Sequence, residues 1–400
     1  MVKELMAGNK ATAYGSMLAR AQVVAAYPIT PQTTIVERIA DLVSEGKMDA
    51  KFVMVESEHS AMAASVAASN TGARAFTATS AHGLALMHEV LMWAAGARTP
   101  VVLVNVNRAM GPPWSVYADH QDAMAQRDTG VMQFWCENNQ EILDTVIMAY
   151  KVAENKDILL PALINQDAFY LSHTNEPVDI PDQELVDSYL PPFDTPVKLD
   201  VNKPMGFGSF IMPPQYMEFR GHMARSMDMA RDVIRKADKE WAELTGRSYG
   251  GMMDMYRCED AEYILFGAGT MMSTAKDVVD DMRSEGHRVG VARLRVFRPF
   301  PIDEVRYLAD RAHAVGVLDR TYTFGRGGPL YNEFNGQVYN HRNRPFTKNY
   351  IVGVGGRDVR QKHIRGIFTD LMKVAKDGYD EEGEIHWWGL LDGSTPEVEM

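Results

Sequence analysis

Short apolar segments alternate with amphipathic segments along the first 170 residues of the chain. The apolar segments predict buried strands, whereas the segments between them have the residue spacing of helices. Buried strands separated by helices are typical of a parallel sheet that is covered on both faces. The predicted strands are 22–27, 52–56, 75–79, 101–105, 132–136 and 159–165, and the predicted helices include 31–44, 84–97 and 140–154.

A second α/β pattern begins near Ala261. It predicts strands at 263–266, 289–294, 314–318 and 350–354, with helices at 273–284 and 302–312. The acidic tail after Asp377 carries Trp387 and Trp388, and we expect these adjacent indoles to pack against the protein. The predicted fold class is therefore α/β, with a doubly wound parallel sheet followed by a second α/β domain.

Residues 172–215, between the two patterns, are rich in proline and predict an extended connector that wraps a surface. A helix is predicted over 215–244, and its apolar residues form one stripe that faces either the core or a partner subunit. The stripe consists of Met223, Met227, Ala230, Ile234, Ala237, Trp241 and Leu244. The predicted domains are 1–171, the connector and helix at 172–256, and 257–400.

Charge and cysteine content exclude several classes of protein. The formal net charge of −12 argues against nucleic-acid binding, which needs a basic face. Cys136 and Cys258 are too few and too far apart for a disulfide scaffold or a cysteine-ligated cluster within this chain. The sequence has neither a signal-peptide pattern nor an apolar run of about 18 residues, so we expect a cytoplasmic protein that does not enter a membrane.

The segment "YPITP" at 27–31 joins an apolar strand to a helix. Each proline fixes its own φ and disfavours the helical region for the residue before it. This pattern predicts Thr30 as the N-cap of the helix and Pro31 as its first residue. The free N–H groups there would suit a carboxylate or a phosphate, although a well-capped helix without a ligand explains the pattern equally well.

Two acids, Glu56 and Glu58, follow an apolar strand in "MVESEHSAMAAS". Ligands of α/β folds usually bind at the carboxyl ends of the strands, which makes these acids candidates for chemistry. A favourable interaction with the start of the following helix is the alternative explanation. We expect His59 to be structural.

The segment "NVNRAMGPPWSVYADHQDAMAQRDTG" at 105–130 places Arg108 at another strand end, before a loop with many charged residues. Arginine binds carboxylates in a bidentate manner, but charged loop residues are often merely solvated. The glycine patterns "FGAGTMMS" and "GVGGRD" lack the spacing of a dinucleotide site. No spacing of histidines or acids indicates a metal held by this chain alone.

Taken together, "YPITP", "ESEHSA" and "NRA…DHQDAMAQRDTG" resemble the alpha subunit of the 2-oxoacid:ferredoxin oxidoreductases, best known from pyruvate synthase. The later segments "RSYGG", "EDAEYILFGAGT" and "LRVFRPFP" resemble the second half of the same subunit. The resemblance extends from about Thr12 to Thr369, and the order of the motifs makes it specific.

This resemblance implies a multi-subunit enzyme that uses thiamine diphosphate to oxidise a 2-oxoacid to an acyl-CoA and to reduce ferredoxin. The first domain would bind the pyrimidine side of the cofactor, and the second would resemble the C-terminal domain of transketolase. A beta subunit would hold the diphosphate and Mg²⁺. Partner subunits of the beta, gamma and delta types would carry the [4Fe-4S] clusters.

The resemblance also implies roles for individual residues. Glu58 matches the carboxylate that activates the cofactor by favouring the imino tautomer of its pyrimidine ring. Thr30 and Arg108 match the groups that contact the carboxylate of the substrate. The backbone around them, at Tyr27, Pro28 and Ile29, is expected to contact the cofactor.

The substrate that fits one hydroxyl and one arginine is a monocarboxylate, and pyruvate is the predicted substrate. A 2-oxoisovalerate or aryl 2-oxoacid enzyme is the alternative within the family. A non-catalytic scaffold subunit and an isolated nucleotide-binding protein are alternatives of a different class, and the absence of phosphate-binding motifs in the sequence counts against the last of these.

Overall fold

The computed structural model describes residues 2–195, 197–379 and 383–391. The strands of these residues are β1 (Val2–Ala7), β2 (Val23–Ala26), β3 (Lys51–Met54), β4 (Ala75–Thr79), β5 (Val102–Asn107), β6 (Met132–Trp135), β7 (Ala162–Asp167), β8 (Asn175–Ile180), β9 (Met253–Tyr256), β10 (Tyr263–Gly267), β11 (Val289–Leu294), β12 (Val296–Arg298), β13 (Ala314–Asp319), β14 (Phe346–Ile351) and β15 (Ile385–Trp387). The α-helices are α1 (Gly8–Leu18), α2 (Thr33–Ser44), α3 (Glu58–Asn70), α4 (Ala81–Leu86), α5 (His88–Gly96), α6 (Gln121–Met124), α7 (Asn139–Ala153), α8 (Gln183–Tyr189), α9 (Pro213–Thr245), α10 (Met271–Ser284), α11 (Ile302–Ala309), α12 (Pro329–Val338) and α13 (Gln361–Asp377).

The first sheet has the strand order β12-β6-β7-β5-β4-β2-β3. Strands β2 to β7 run parallel, and β12 pairs antiparallel with β6 at one edge. Every residue of β4, β5, β6 and β7 is buried, as expected when helices cover both faces of a sheet. The doubly wound parallel sheet predicted from the sequence is confirmed.

The second sheet has the order β15-β14-β13-β10-β11-β9, in which only β9 is antiparallel to its neighbour among the described strands. Trp387 lies in β15, and Trp388 packs against the apolar core of this unit. The packing expected for the two tryptophans is confirmed. The acidic positions 380–382 and the end of the tail, 392–400, lie outside the described residues.

The two units share a strand and part of a core. Strand β12 follows β11 directly in the chain, yet it completes the first sheet by placing Val296 opposite Phe134. One hydrophobic cluster also extends from Met62 beside the first sheet to Phe334 beside the second. Since β12 lies beyond residue 257, the structure crosses the predicted limit between the domains, and those limits remain a prediction.

The connector packs on the first unit, as its length predicts. The carbonyl of Pro191 accepts a hydrogen bond from Arg74, and the N–H of Leu199 donates to the carbonyl of Asn70 over 2.7 Å. The connector also contains regular structure that the sequence pattern did not predict, because β8 pairs antiparallel with β1 and α8 follows it.

Helix α9 packs through its C-terminal half. Its buried positions are Ser226, Ala230, Ile234, Ala237, Asp238 and Trp241. Four residues of the predicted stripe are therefore in the core, and the ring of Trp241 lies edge-on to Tyr189 at 4.9 Å. Met223 and Met227 are half-buried, whereas the prediction was wrong for Leu244, which is exposed near the end of the helix.

Several element boundaries differ from the sequence pattern, and two of the differences are larger than the rest. The helix predicted over 84–97 is a pair of helices, α4 and α5, with Met87 between them, and it begins at Ala81. The last predicted strand begins and ends earlier, as β14, because a tight turn at Val354–Gly356 follows it.

A buried ion network joins the two units at β11. Glu141 of α7 accepts from Arg293 over 3.0 Å and from Arg295 over 3.2 Å, and all three side chains are essentially inaccessible to solvent. The motif "RSYGG" adds a second layer, since Arg247 and Tyr249 both donate to Asp144 on the same helix. Removing one member of such a network leaves buried charge without a partner, which is costly.

We predict that Glu141→Gln lowers the free energy of unfolding by about 3–5 kcal/mol, because two buried guanidinium groups lose their shared carboxylate. Chemical denaturation checks the change. Glu285→Gln is the matched control, since it breaks an exposed pair with Arg365 and is expected to have no measurable effect. Equal effects of the two substitutions would contradict the role of the network.

Candidate active site

The candidate site lies at the carboxyl ends of four neighbouring strands. Strands β5, β4, β2 and β3 are adjacent in the first sheet and parallel, so the residues that follow them meet at one edge. Thr30 follows β2, Glu58 follows β3 and Arg108 follows β5. The three residues singled out in the sequence therefore come from one edge of one sheet.

The corner at 27–31 differs from its predicted geometry. Helix α2 begins at Thr33, and its N-cap is Gln32 rather than Thr30. The carbonyl of Thr30, which an N-cap residue would offer to its own helix, instead accepts a hydrogen bond from Nη1 of Arg108. The next carbonyl, that of Pro31, accepts from Asn9 over 2.7 Å. Contacts distant in sequence thus replace the first turn of the predicted helix.

Gln32 fixes this corner to the sheet. Its side-chain Nε2 donates to the carbonyl of Ala78 on β4 over 3.0 Å, and its Oε1 accepts from the N–H of Ile29 over 3.3 Å. Gln32 is fully buried, whereas Tyr27 and Ile29 are half-buried and Pro28 and Thr30 are exposed. The corner is therefore held from below and presents its outer residues to solvent.

The structure distinguishes the two acids of "ESEHSA". Glu56 is exposed and accepts a hydrogen bond from Ser60 over 2.6 Å, while Glu58 is 7% exposed at the start of α3. Gly83 lies against Glu58, because a Cβ at position 83 would be 2.6 Å from Glu58 Oε1 and 2.4 Å from Thr79 Oγ1. Only glycine at position 83 leaves the Glu58 carboxylate in this place.

Arg108 is 6% exposed, and its guanidinium faces the same region. Nη1 donates to the carbonyl of Thr30, Nη2 lies 3.3 Å from Nδ1 of His82, and the indole of Trp114 covers the group at 5.1 Å. Nε is buried and has no partner among the described residues. Burial lowers the pKa of Arg108, and the nearby carboxylates of Asp122 and Glu58 oppose that fall.

Asp122, a buried residue of α6, organises the backbone around Arg108. Its Oδ2 accepts from the backbone N–H groups of Ala81 and Arg108, each over 3.1 Å. The two oxygens also accept from the side chains of Asn105 and Asn107 and from the N–H of Ala123. Burial raises the pKa of Asp122 to about 6, and these donors limit the rise.

The loop after Arg108 rests on the second unit. Asp119 accepts from the N–H of Gly355 over 3.1 Å, and the hydroxyl of Ser115 donates to the carbonyl of the same residue over 3.3 Å. Burial raises the pKa of Asp119. Of the charged residues in this loop, Asp119, His120 and Asp122 are buried, whereas Asp128 is exposed.

His120 completes this junction together with Asp167 at the end of β7. Nε2 of His120 lies 2.8 Å from Asp167, which also accepts from Thr270 and from Arg320 of the second unit. Burial acts to raise the pKa of Asp167, but Arg320 and His120 outweigh it and the pKa is lowered. The "FGAGT" segment therefore serves as a contact between the units.

Family models match both parts of the chain. The model described as "Pyruvate flavodoxin/ferredoxin oxidoreductase, thiamine diP-bdg" matches residues 14–239, more than half of the chain. A second model, "Pyruvate:ferredoxin oxidoreductase core domain II", matches residues 261–364. The chain is an alpha subunit of the 2-oxoacid:ferredoxin oxidoreductase family. The resemblance found in its motifs is thereby confirmed.

Two named groups occur among the relatives of this alpha subunit. Ketoisovalerate oxidoreductase subunit VorA of Pyrococcus horikoshii is 50% identical over 97% of this chain and 98% of its own length. Pyruvate synthase subunit PorA of Methanothermobacter thermautotrophicus is 44% identical over 98% of this chain and its own full length. Both groups are oxidoreductase subunits, so the alpha subunit belongs to an enzyme.

Solved structures share the fold of the alpha subunit. A 2-oxoglutarate:ferredoxin oxidoreductase from Magnetococcus marinus superposes with a TM-score of 0.71 at 16% identity, over 93% of this chain and 65% of that chain. A split gene transketolase superposes with a TM-score of 0.50 at 14% identity, over 92% of this chain and 98% of that chain. These likenesses confirm the predicted fold class.

The residues at the strand ends fit the thiamine diphosphate that the matched domain is described as binding. Thr79 Oγ1 is buried there without a partner among the described residues, next to the Glu58 carboxylate. Both groups lie against Gly83, where a Cβ would be 2.4 Å from the hydroxyl oxygen and 2.6 Å from the carboxylate. An unpaired hydroxyl and a buried carboxylate side by side suit an aminopyrimidine, which offers both hydrogen-bond donors and acceptors.

The described part of the alpha subunit contains neither a cluster of metal ligands nor a helix that could span a membrane. No group of three or more His, Cys, Asp or Glu side chains is placed there to hold a metal ion. None of the helices in these residues combines the length and the apolar character needed to cross a bilayer.

Several residues around the site were not found by sequence reasoning. Asn9 and Gln32 hold the corner, Thr79 lies beside Glu58, and His82 contacts the guanidinium of Arg108. Each is a common polar residue without a motif of its own. Asp122 lies in the charged segment 105–130, but nothing in that segment distinguishes it from the other acids nearby.

We predict that Asp122→Asn destabilises the alpha subunit by about 2 kcal/mol or more at pH 8. Whichever oxygen the amide nitrogen replaces, at least two of the five N–H donors lose their acceptor. Urea unfolding followed by circular dichroism measures the loss. Asp128→Asn is the control in the same segment, and a comparable loss in that variant would contradict the prediction.

Proposed function

We propose that the chain is a catalytic alpha subunit that binds a 2-oxoacid beside thiamine diphosphate, for oxidative decarboxylation to an acyl-CoA with reduction of ferredoxin. One observation carries the proposal. The Arg108 guanidinium is buried, and its Nε is unpaired among the described residues. It also interacts electrostatically with the buried carboxylate of Glu58 at the same edge of the sheet. A scaffold subunit would have no need for such a costly arrangement.

Glu58 is the residue assigned to the cofactor. Its carboxylate is positioned at the start of α3, against Gly83, where it would share a proton with a ring nitrogen of the pyrimidine. Thr79 would offer its unpaired hydroxyl to the same ring, and Tyr27, Pro28 and Ile29 would line the neighbouring backbone. Thiamine diphosphate, when bound, supplies the carbon that attacks the 2-oxo group and accepts the electrons of decarboxylation.

Arg108 and Thr30 are assigned to the carboxylate of the substrate. A guanidinium offers five N–H donors, and contacts to Thr30 and His82 use only part of this set. The unpaired Nε can therefore donate to a carboxylate oxygen, and the exposed hydroxyl of Thr30 lies on the residue whose carbonyl orients the guanidinium.

The substrate class we propose is a 2-oxoacid with an uncharged side chain. Pyruvate is the substrate predicted from the sequence, and the relatives named pyruvate synthase support it at 42–44% identity. The relatives named ketoisovalerate oxidoreductase, at 48–50% identity, favour 2-oxoisovalerate as the second candidate. Both substrates present one carboxylate to Arg108.

Partner subunits would supply what this chain lacks. We propose that a beta subunit holds the diphosphate and Mg²⁺, and that [4Fe-4S] clusters on partners of the beta, gamma or delta type carry electrons to ferredoxin. Coenzyme A would be a co-substrate of the complex. The two cysteines of this chain are buried and separate, which agrees with clusters being held elsewhere.

We predict that Glu58→Gln assembles with its partners but loses at least about 99% of 2-oxoacid-dependent viologen reduction, because an amide cannot exchange the proton. Glu56→Gln, which alters the exposed acid two residues away, is the matched control and should retain activity. Full turnover by Glu58→Gln at saturating thiamine diphosphate would contradict the assignment.

We also predict that Arg108→Ala raises the KM for pyruvate and 2-oxoisovalerate by about 100-fold, because a charge-assisted carboxylate contact is lost. The values of kcat/KM for pyruvate, 2-oxoisovalerate and 2-oxoglutarate in the wild-type complex identify the substrate. A preference for 2-oxoglutarate would overturn the monocarboxylate proposal. An unchanged kcat/KM in Arg108→Ala would exclude the proposed contact between Arg108 and the carboxylate of the substrate.

A further inference from the structure

His82 lies between the arginine assigned to the substrate and the loop that follows it. It follows Ala81, whose φ of 44° lies in the left-handed region that a residue with a Cβ rarely adopts. The N–H of Ala81 donates to the buried carboxylate of Asp122, which holds this strained turn in place. The left-handed conformation of Ala81 therefore directs residue 82 toward Arg108.

The His82 ring makes two contacts that fit one neutral tautomer. Nδ1 lies 3.3 Å from Nη2 of Arg108 and can only accept from it, because the guanidinium has donors alone. Nε2 then carries the proton and donates to the carbonyl of Gly111, 3.3 Å away. The N–H of Gly111 lies 3.2 Å from the same nitrogen and can donate to it only in the other tautomer, so the tautomer that accepts from Arg108 uses the Gly111 carbonyl alone.

Gly111 begins the tight part of the loop that carries Trp114. A Cβ at position 111 would lie 1.9 Å from the carbonyl oxygen of Pro113, so this turn requires glycine. Trp114 in turn covers the guanidinium of Arg108. His82 thus connects the arginine to the loop that lies over it.

The position of the guanidinium depends on these contacts. Thr30 holds Nη1 and His82 holds Nη2, which leaves Nε unpaired and fixes the plane in which it can donate. Without His82, the guanidinium would be fixed at one nitrogen only and could rotate away from a bound carboxylate. The Gly111 turn would lose its contact with α4 at the same time.

We propose that His82 is a positioning residue for the 2-oxoacid: it orients Arg108 and ties the Gly111–Trp114 loop to it, without touching the substrate itself. This inference rests on the proposed function, in which Arg108 binds the carboxylate. Its expected signature is a change in KM for the 2-oxoacid with little change in kcat, transmitted entirely through Arg108.

The test uses the assembled complex with His82→Leu and His82→Gln. His82→Leu removes both contacts and should raise the KM for the preferred 2-oxoacid about tenfold, with kcat within about twofold of wild type. In His82→Gln the amide oxygen can accept from Arg108 and the amide nitrogen can donate to Gly111, so the KM should stay within about threefold of wild type. A loss of kcat at unchanged KM, or an unchanged KM in His82→Leu, would overturn the proposal.

A double-mutant cycle separates positioning from general structural support. In an Arg108→Lys background, His82→Leu should change KM by less than about twofold, because the group it orients is already gone. A tenfold effect in both backgrounds would overturn the proposal.

If His82→Leu does not assemble, His82→Asn replaces it, since that shorter side chain cannot span both partners and should also raise KM. Absence of 2-oxoacid-dependent reduction in the wild-type complex would instead refute the proposed function.

Discussion

The candidate site depends on a single buried carboxylate. Asp122 accepts N–H donors from the first residue of α4, from the end of β5 and from its own short helix. A carboxylate can accept this many donors only while it is ionised. The free-energy cost of burying its charge is offset by the hydrogen bonds from these donors. Asp122 holds the backbone N–H groups of Ala81 and Arg108 at once, so it joins the strained start of α4 to the end of β5.

The second unit supports the loop that carries the candidate site. Its backbone at Gly355 holds Asp119, and its Thr270 and Arg320 hold Asp167 beside His120. These contacts fix the far end of the loop whose near end carries Arg108. The glycine segments "FGAGTMMS" and "GVGGRD", whose spacing does not fit a dinucleotide site, are explained by this close packing between the units.

Local patterns predicted the features that local forces determine. Glu56 and Glu58 became candidates because an apolar segment followed by two acids and a helix is visible within a few residues, and the family resemblance then selected Glu58. The parallel sheet follows from the same alternation. Thr30 was wrongly predicted as an N-cap, because Arg108, which is distant in the sequence, takes its carbonyl. Asp122 and His82 could not be singled out, since their partners lie on separate strands and turns. Strand β12 was missed because its edge partner belongs to the other half of the chain.

The shared strand β12 has a consequence for how the chain is made. While the first half emerges from the ribosome, β6 presents a row of unpaired backbone groups, and these stay open until residues 296–298 have been synthesised. An open edge of this kind recruits strands from neighbouring molecules. The nascent polypeptide is therefore prone to aggregation until residue 298 has been added. A truncated protein that ends before residue 298 is prone to aggregation for the same reason.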